Sequence, residues 1–105
     1  MPTSKHLQIT RPAQRNLSDI GAYTEKTWGA AQKKKYLGQI KRTLAALVAA
    51  PSLGTSREDI VEGLRSHSVG RHVVFYREAG GDLVISRVLH QRMDPTPRFR
   101  GAEGE

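Results

Sequence analysis

Residues 64–90 read LRSHSVGRHVVFYREAGGDLVISRVLH and carry the strongest structural signal in the chain. They contain three runs rich in Val, Ile, Leu, Phe and Tyr, and glycine-containing turns separate these runs, which is the pattern of consecutive β-strands. Turns this short join neighbouring strands that run in opposite directions, so the pattern predicts a three-stranded antiparallel meander. The predicted strands are Leu64–Val69, Arg71–Arg77 and Asp82–His90, and the turns lie at Gly70 and at Ala79–Gly81.

Two helices are predicted upstream of this segment. The first has Pro12 in its opening turn and ends near Gly29, and the second begins at Ala30 and stops before Pro51. Because the connection between them is so short, the two helices must lie side by side and antiparallel. Apolar or near-apolar residues recur at helical spacing, at Leu17, Ile20, Tyr23, Thr24 and Trp28 in the first helix and at Leu37, Ile40, Leu44, Leu47 and Val48 in the second.

The order of these elements predicts the fold class. A short alternating run at Leu7–Thr10 predicts a strand ahead of the helices. An N-terminal strand, an antiparallel helical hairpin and a three-stranded antiparallel meander make an α+β fold in which the helices cover one face of the sheet. With 105 residues the chain suits a single domain, which we expect to span residues 1–94. Residues 95–105 are expected to form an irregular, flexible C-terminal tail because Pro and Gly recur there.

The composition narrows the function classes. Lys and Arg number 17 against 10 Asp and Glu, and the resulting net charge of +7 favours an acidic or polyanionic partner. The sequence has no cysteine, which excludes disulfides, cysteine-based zinc sites and cysteine nucleophiles. Its longest apolar run, Leu44–Ala50, is far shorter than the ~20 residues that a membrane span requires, and the N-terminus lacks the apolar core of a secretory signal. We therefore expect a cytoplasmic protein with no membrane partner.

Residues with catalytic potential are sparse. The sequence contains no phosphate-binding glycine loop, nucleophile elbow or HExxH zinc motif, and no two carboxylates are placed as an acid/base pair. We therefore predict no catalytic residue, no metal and no cofactor. His67 and His72 differ in strand parity, so they are expected to point to opposite faces of the sheet and to share no metal. His90 closes the last strand between Arg87 and Arg92, a place suited to a proton-transfer or phosphate-binding group.

The aromatic residues predict little direct contact with nucleic acid. They do not alternate with basic residues, as a stacking surface for single strands requires. Most of them fall on the apolar stripes that are predicted to face the core. The aromatic residues are Tyr23, Trp28, Tyr36, Phe75, Tyr76 and Phe99.

Several blocks of the sequence resemble the ParE toxins of bacterial type II toxin–antitoxin systems. The most specific block is ISRVLHQRMD at residues 85–94. The order and spacing of the blocks cover roughly residues 7–94. The other blocks are Trp28-Gly29 at the end of the first predicted helix, Pro51 and Gly54 after the second, GLRS at 63–66 and RHVVFYR at 71–77.

The resemblance implies a RelE/ParE-type fold, neutralisation by a co-encoded ParD-like antitoxin, and inhibition of DNA gyrase by a protein that is not an enzyme. DNA would be contacted only through the antitoxin or gyrase. Ribonuclease activity stays open, because the related RelE toxins cleave messenger RNA on the ribosome. Arg65 and Arg92 lie near positions where those toxins carry catalytic arginines, and His90 is a candidate acid or base. The alternative function is therefore that of a RelE-like ribosome-dependent mRNA interferase.

Two sets of binding residues follow from this interpretation. The end of the last strand is expected to contact gyrase, while a basic helical surface is expected to attract acidic side chains of the antitoxin. Arg87 has a second interpretation as a structural residue between the sheet and the helices, and Asp94 as a helix cap or salt-bridge partner for the tail. The gyrase candidates are Arg87, His90, Arg92, Met93 and Asp94, and the antitoxin candidates are Lys34, Lys35, Lys41, Arg42 and Arg65.

Overall fold

The computed structural model describes residues 6–99. The elements in chain order are β1 (Leu7–Ile9), α1 (Arg11–Trp28), α2 (Ala30–Ala49), a single 3₁₀ turn (Pro51–Leu53), β2 (Thr55–Ser56), β3 (Arg65–Val69), β4 (His72–Ala79), β5 (Asp82–His90) and α3 (Thr96–Phe99). The five strands form one sheet with the order β1-β5-β4-β3-β2. The predicted α+β class, with its helical hairpin and antiparallel meander, is confirmed.

The two edges of the sheet are features that strand patterns alone do not predict. β1 pairs with β5 in parallel, with Leu7 opposite Leu83, so the N-terminal strand lies beside the last strand of the chain. Beyond the end of β1, the side-chain oxygen of Asn16 accepts the Val88 N–H at 3.0 Å, so α1 satisfies a backbone donor that β1 does not reach. At the opposite edge, β2 adds two antiparallel residues beside β3.

Local signals explain where the long helices begin and end. The Thr10 hydroxyl oxygen caps α1 by accepting the Ala13 N–H at 3.3 Å. Gly29 has a φ of +95° and interrupts the helical path, so α2 turns back along α1 as its antiparallel neighbour. An ion pair between Lys33 Nζ and Glu25 Oε1 at 3.3 Å links the two helices near this turn. Within residues 6–99, no helix is long and apolar enough to cross a membrane.

The main core lies between the helical hairpin and one face of the sheet. Both helices contribute a stripe of buried apolar side chains, and β3, β4 and β5 contribute the residues that face them. Burial of these side chains is the main source of stability for a domain of this size. The cluster comprises Ala13, Ile20, Ile40, Leu44, Leu47, Val69, Val74, Tyr76, Leu83, Ile85 and Val88.

Tyr76 carries the one buried hydroxyl that anchors the loop after α2. The hydroxyl donates to the Pro51 carbonyl oxygen at 2.6 Å and accepts the Gly54 N–H at 2.8 Å. A side chain at position 54 would collide with this hydroxyl and with the Ser66 carbonyl oxygen, so the close approach requires glycine. Arg65 Nη1 donates to the Gly54 carbonyl oxygen at 2.6 Å and holds the same loop from β3.

A β-bulge in β5 changes which residues face the helices. Phe75 lies opposite Arg87 and Tyr76 lies opposite Ile85, so Ser86 is the extra residue between them. In a strand without the bulge, Ile85 and Arg87 are two residues apart and would share a face. With it, Ile85 faces the helices and Arg87 points to the other side of the sheet.

A smaller apolar cluster covers that second face. Leu64, Phe75 and Leu89 are its buried residues, and Ile60 and Phe99 pack against it from outside. The Phe99 ring lies 5.6 Å from the Phe75 ring in an edge-to-face arrangement. The segment that was expected to be irregular therefore contains the short helix α3, which is held on the sheet through Phe99. The rest of the predicted tail, residues 100–105, lies outside the described residues, and the proposed boundary at residue 94 stays a prediction.

Candidate functional site

Three polar rings meet where the first residue of β4 lies beside the last residue of β5. His72 and His90 are cross-strand partners, with ring centroids 5.4 Å apart and ring planes at 81°. Tyr36 of α2 reaches this pair, and its hydroxyl lies 2.6 Å from His72 Nδ1. The same hydroxyl accepts the Arg71 N–H at 3.2 Å and lies 3.2 Å from the Val69 carbonyl oxygen. One tyrosine hydroxyl thus ties α2 to the β3–β4 turn.

Burial favours the neutral forms of two of these rings, His72 and Tyr36. It lowers the pKa of His72 below the ordinary value of 6.5, and the neighbouring His90 acts in the same direction. Burial also raises the pKa of the Tyr36 hydroxyl, although the Arg71 N–H opposes the shift. A neutral imidazole and a protonated phenol suit the short hydrogen bond between them. His90 Nδ1 accepts the Arg92 N–H at 3.1 Å.

A groove of about 610 Å³ opens beside the three rings. Tyr23 and Trp28 of α1 line it and are 67% and 68% exposed. The expectation that these two aromatic residues face the core is therefore wrong. Helical periodicity marks the side of a helix on which a ring lies, but it does not show whether another element covers that ring. The position of Trp28 next to the helix-ending Gly29 was the available signal, because a helix end often extends past its packing partners.

The β3–β4 hairpin brings His67 and His72 to the same face of the sheet. His67 pairs with Val74 and His72 pairs with Val69, and paired residues share a face. The expectation of opposite faces is wrong because the two-residue turn resets the alternation between the strands. Within residues 6–99, no three His, Cys, Asp or Glu side chains are grouped so that they could hold a metal ion.

Four of the five gyrase candidates lie together at the end of β5. Arg92, Met93 and Asp94 are exposed and follow the half-buried His90 directly. Asp94 Oδ1 accepts the Thr96 N–H at 3.0 Å, so Asp94 caps α3 as one of its two interpretations predicted.

Arg87 is placed differently from the other gyrase candidates. It is only 8% exposed, and the bulge directs it away from the helices, so the expectation that it lies between the sheet and the helices is wrong. Its guanidinium donates to the carbonyl oxygens of Ser86 at 2.9 Å and Arg98 at 3.2 Å, and lies 5.7 Å from the centre of the Phe99 ring. Arg87 therefore holds α3 on the sheet and offers little surface to a partner.

Four of the five antitoxin candidates lie together on α2, and the fifth, Arg65, lies elsewhere. Lys34, Lys35, Lys41 and Arg42 are all exposed on α2, and their seven-residue spacing places them in two adjacent rows. Arg65 is half-buried on β3, and its guanidinium is bound to the Gly54 carbonyl oxygen. The structure thus assembles four of these residues into a basic surface on α2 and gives Arg65 a structural contact elsewhere.

Comparison with known families identifies this arrangement. The family of ParE toxins of type II toxin–antitoxin systems matches residues 7–95. The chain belongs to this family. The resemblance seen in the sequence is therefore confirmed, and the protein is a ParE toxin, the toxin component of a type II toxin–antitoxin system.

Relatives of this ParE toxin match it over nearly their whole length. Toxin ParE1 of Caulobacter vibrioides is 37% identical over 90 residues, which cover 86% of this chain and 93% of the relative. Toxin ParE1 of Mycobacterium tuberculosis is 37% identical over 93 residues, covering 88% and 94%. Toxin ParE of Escherichia coli is 31% identical over 92 residues, covering 87% and 89%.

Solved structures show the same fold. A chain of the chromosomal ParDE toxin–antitoxin system from Pseudomonas aeruginosa superposes with a TM-score of 0.72 at 21% identity, covering 83% of this chain and 96% of that one. A chain of the toxin–antitoxin complex RelBE2 from M. tuberculosis gives a TM-score of 0.57 at 19% identity, covering 86% and 94%. The RelE/ParE-like architecture predicted from the sequence is thus confirmed.

Proposed function

We propose that this ParE toxin inhibits DNA gyrase by binding to it, without a catalytic step or a cofactor, and that a ParD-like antitoxin neutralises it in the cytoplasm. Membership of the ParE family supports the choice of target and antitoxin. The observation that carries the absence of catalysis is the distance between the residues that a nuclease of this fold would have to combine.

Arg65 and His90 do not converge on one point, because the Arg65 guanidinium is bound to the Gly54 carbonyl oxygen and does not line the grooves that His90 lines. In the sheet register, His90 pairs with His72 and His72 pairs with Val69, whereas Arg65 lies four residues earlier on β3. Strands rise by roughly 3.3 Å per residue, so the two positions are about 13 Å apart along the strand direction and two strands apart across the sheet. General acid/base groups must lie within hydrogen-bond reach of the reacting atoms. This geometry favours binding over the alternative ribonuclease activity.

The exposed end of β5 is the proposed gyrase surface. Arg92, Met93 and Asp94 present a cation, a flexible apolar side chain and a carboxylate side by side. Met and Arg are typical of protein interfaces, where they pack against and hydrogen-bond to a partner. Arg87 has a supporting role in this proposal, because it fixes α3 directly behind the exposed residues.

The basic surface of α2 is the proposed attraction site for the antitoxin. Its exposed Lys34, Lys35, Lys41 and Arg42 would accelerate the approach of an acidic segment more than they would strengthen the final complex. Changing Lys34 and Lys41 to Glu should therefore slow antitoxin association at low salt and leave the fold intact. An association rate equal to that of the wild type would contradict this part of the proposal.

A gyrase assay with purified toxin tests the proposed activity. We expect loss of supercoiling together with accumulation of cleaved DNA, and reversal of both effects by the antitoxin. Messenger RNA should remain intact when translating ribosomes are mixed with the toxin. Folded toxin that leaves gyrase active but cleaves transcripts would replace this proposal with the ribonuclease alternative.

A further inference from the structure

Large exposed apolar side chains are concentrated along one cleft. A second groove, of about 450 Å³, shares Tyr23, His72 and His90 with the first groove, so the two form a continuous cleft from Trp28 to Met93. Tyr23, Trp28 and Met93 are 67%, 68% and 39% exposed. They make up half of the large apolar residues that are exposed within residues 6–99. Such a concentration beside polar groups is typical of an interaction site.

The residue types in the cleft are those that dominate protein–protein recognition. Trp, Tyr, Arg and Met are enriched at the energetic centres of interfaces, whereas Lys, Glu and Asp are depleted. Tyr23, Trp28, Tyr36, Arg71, Met93 and Arg98 line the cleft, and among residues 6–99 no lysine lines it and Asp19 is its single carboxylate.

The floor of the cleft is rigid. The Tyr36 hydroxyl is held by His72 and by the Arg71 N–H, and the His90 ring lies edge-on to His72. Because these groups already have hydrogen-bond partners, little conformational freedom is lost when a partner binds over them. The cleft therefore has a preformed floor, and its exposed side chains, Tyr23, Trp28 and Met93, lie around that floor.

Charge and shape indicate what the cleft binds. Arg71 and Arg98 outnumber Asp19, which favours an acidic partner. Two arginines, one in each groove, do not form the continuous basic track that a nucleic-acid backbone follows. The chemistry fits a protein segment that has one large apolar side chain flanked by carboxylates.

The position of the cleft separates it from the basic surface of α2. None of Lys34, Lys35, Lys41 and Arg42 lines either groove, whereas His90 and Met93 of the proposed gyrase surface do. We propose that the cleft is the main gyrase-binding site, and that an acidic gyrase segment inserts a large apolar side chain against Tyr23 and Trp28. This inference rests on the proposed inhibition of gyrase and extends its site from the end of β5 to α1.

Truncation of the exposed rings tests the site. Trp28→Ala and Tyr23→Ala should each raise the toxin concentration needed for half-inhibition of supercoiling by about tenfold or more, as expected for a residue at the centre of an interface. Affinity for the antitoxin should change by less than about threefold. Leu53→Ala is the matched control, because Leu53 is also apolar and 54% exposed but lies outside the cleft. Circular dichroism should show that all three variants keep the native fold.

Charge changes test the chemistry of the partner. Arg71→Glu should weaken gyrase inhibition, and Asp19→Asn should leave it unchanged or strengthen it, because only the first change repels an acidic segment. The two variants keep the backbone N–H of residue 71 and the apolar walls of the cleft.

Several results would overturn the assignment. If Trp28→Ala inhibits gyrase as well as the wild type, the cleft is not the gyrase site. If antitoxin affinity falls in parallel with inhibition, the cleft serves the antitoxin. If the wild type binds an oligodeoxythymidine single strand and Trp28→Ala does not, the occupant is nucleic acid. A wild-type toxin that leaves gyrase active would refute the proposed function itself, which separates that failure from the failure of the cleft.

Discussion

The two faces of the sheet are covered in very different ways. On one face, two helices of 18 and 20 residues close over a cluster of eleven buried residues. On the other face, a loop and the four-residue helix α3 cover a cluster of three. A long helix packed along a sheet is hard to remove without unfolding, whereas one turn of helix held by the Phe99 ring and the Arg87 guanidinium can detach locally. The difference indicates that stability resides on the helix side and that the second face can change its cover.

The largest effect is expected from a cavity on the helix side. Leu47 is fully buried between α2 and the sheet, so Leu47→Ala removes packed methyl groups and leaves a void. We expect a loss of about 2–5 kcal/mol in the free energy of unfolding, measured by urea denaturation. A loss below about 1 kcal/mol would mean that the helical hairpin is not the main stabilising layer. The proposed difference in stability between the two faces of the sheet would then be wrong.

A polar contact on the same side should give the next largest loss. Tyr76→Phe keeps the ring but leaves the Pro51 carbonyl oxygen and the Gly54 N–H without their buried partner. We expect a loss of about 2 kcal/mol in the free energy of unfolding. Tyr36→Phe is the control, because its hydroxyl is half-buried and water can replace it. Equal losses in the two variants would show that burial does not determine the strength of these contacts.

Truncation of an apolar side chain on the second face of the sheet should destabilise the protein less. Phe99 is half-buried against Phe75, so Phe99→Ala should cost only about 1 kcal/mol in the free energy of unfolding. Hydrogen exchange should accelerate at the Arg98 N–H, which is bonded to the Pro95 carbonyl oxygen at 2.9 Å, and stay slow in the strands. If Phe99→Ala destabilised the protein as much as Leu47→Ala does, the two faces would form one cooperative core.

The smallest expected effect is a dependence of the free energy of unfolding on pH. Because the pKa of folded His72 lies below 6.5, the unfolded chain binds a proton in a pH range where the folded chain does not. The free energy of unfolding should therefore be highest above about pH 6.5 and decrease as the pH falls through the folded pKa. Urea denaturation between pH 7.5 and 5 measures this slope. His72→Gln should flatten it and His67→Gln should preserve it; the reverse result would assign the dependence to another group.

The elements of the fold were predictable, but the positions of its functional side chains were less so. Hydrophobic alternation and glycine turns indicated β3, β4 and β5, and the break at Gly29 indicated the hairpin. These are local signals. Three other features depend on which elements meet in space: the parallel partner of β1, the bulge at Ser86 and the exposure of Trp28. A single sequence does not show which elements pair with one another. For the same reason Lys34 and Lys41 were correctly grouped on one helix, whereas Arg65 was assigned to a surface that it does not share.

The bulge at Ser86 has a consequence for how β5 can vary in length. Leu83 and Ile85 face the helices in one phase of the alternation, and Val88 and His90 face them in the other. Deleting Ser86 would remove the bulge and leave a regular strand in which Ile85, Val88 and His90 still face the helices and Arg87 still points to the other side. Inserting one residue between Arg87 and His90 would instead turn His90 to the opposite face, away from Tyr36, while the β4–β5 turn at Gly80 lies outside this constraint. Natural and designed variants of this toxin are therefore expected to differ in length at that turn or to lack the bulge residue, and to keep the residue count from Arg87 to His90.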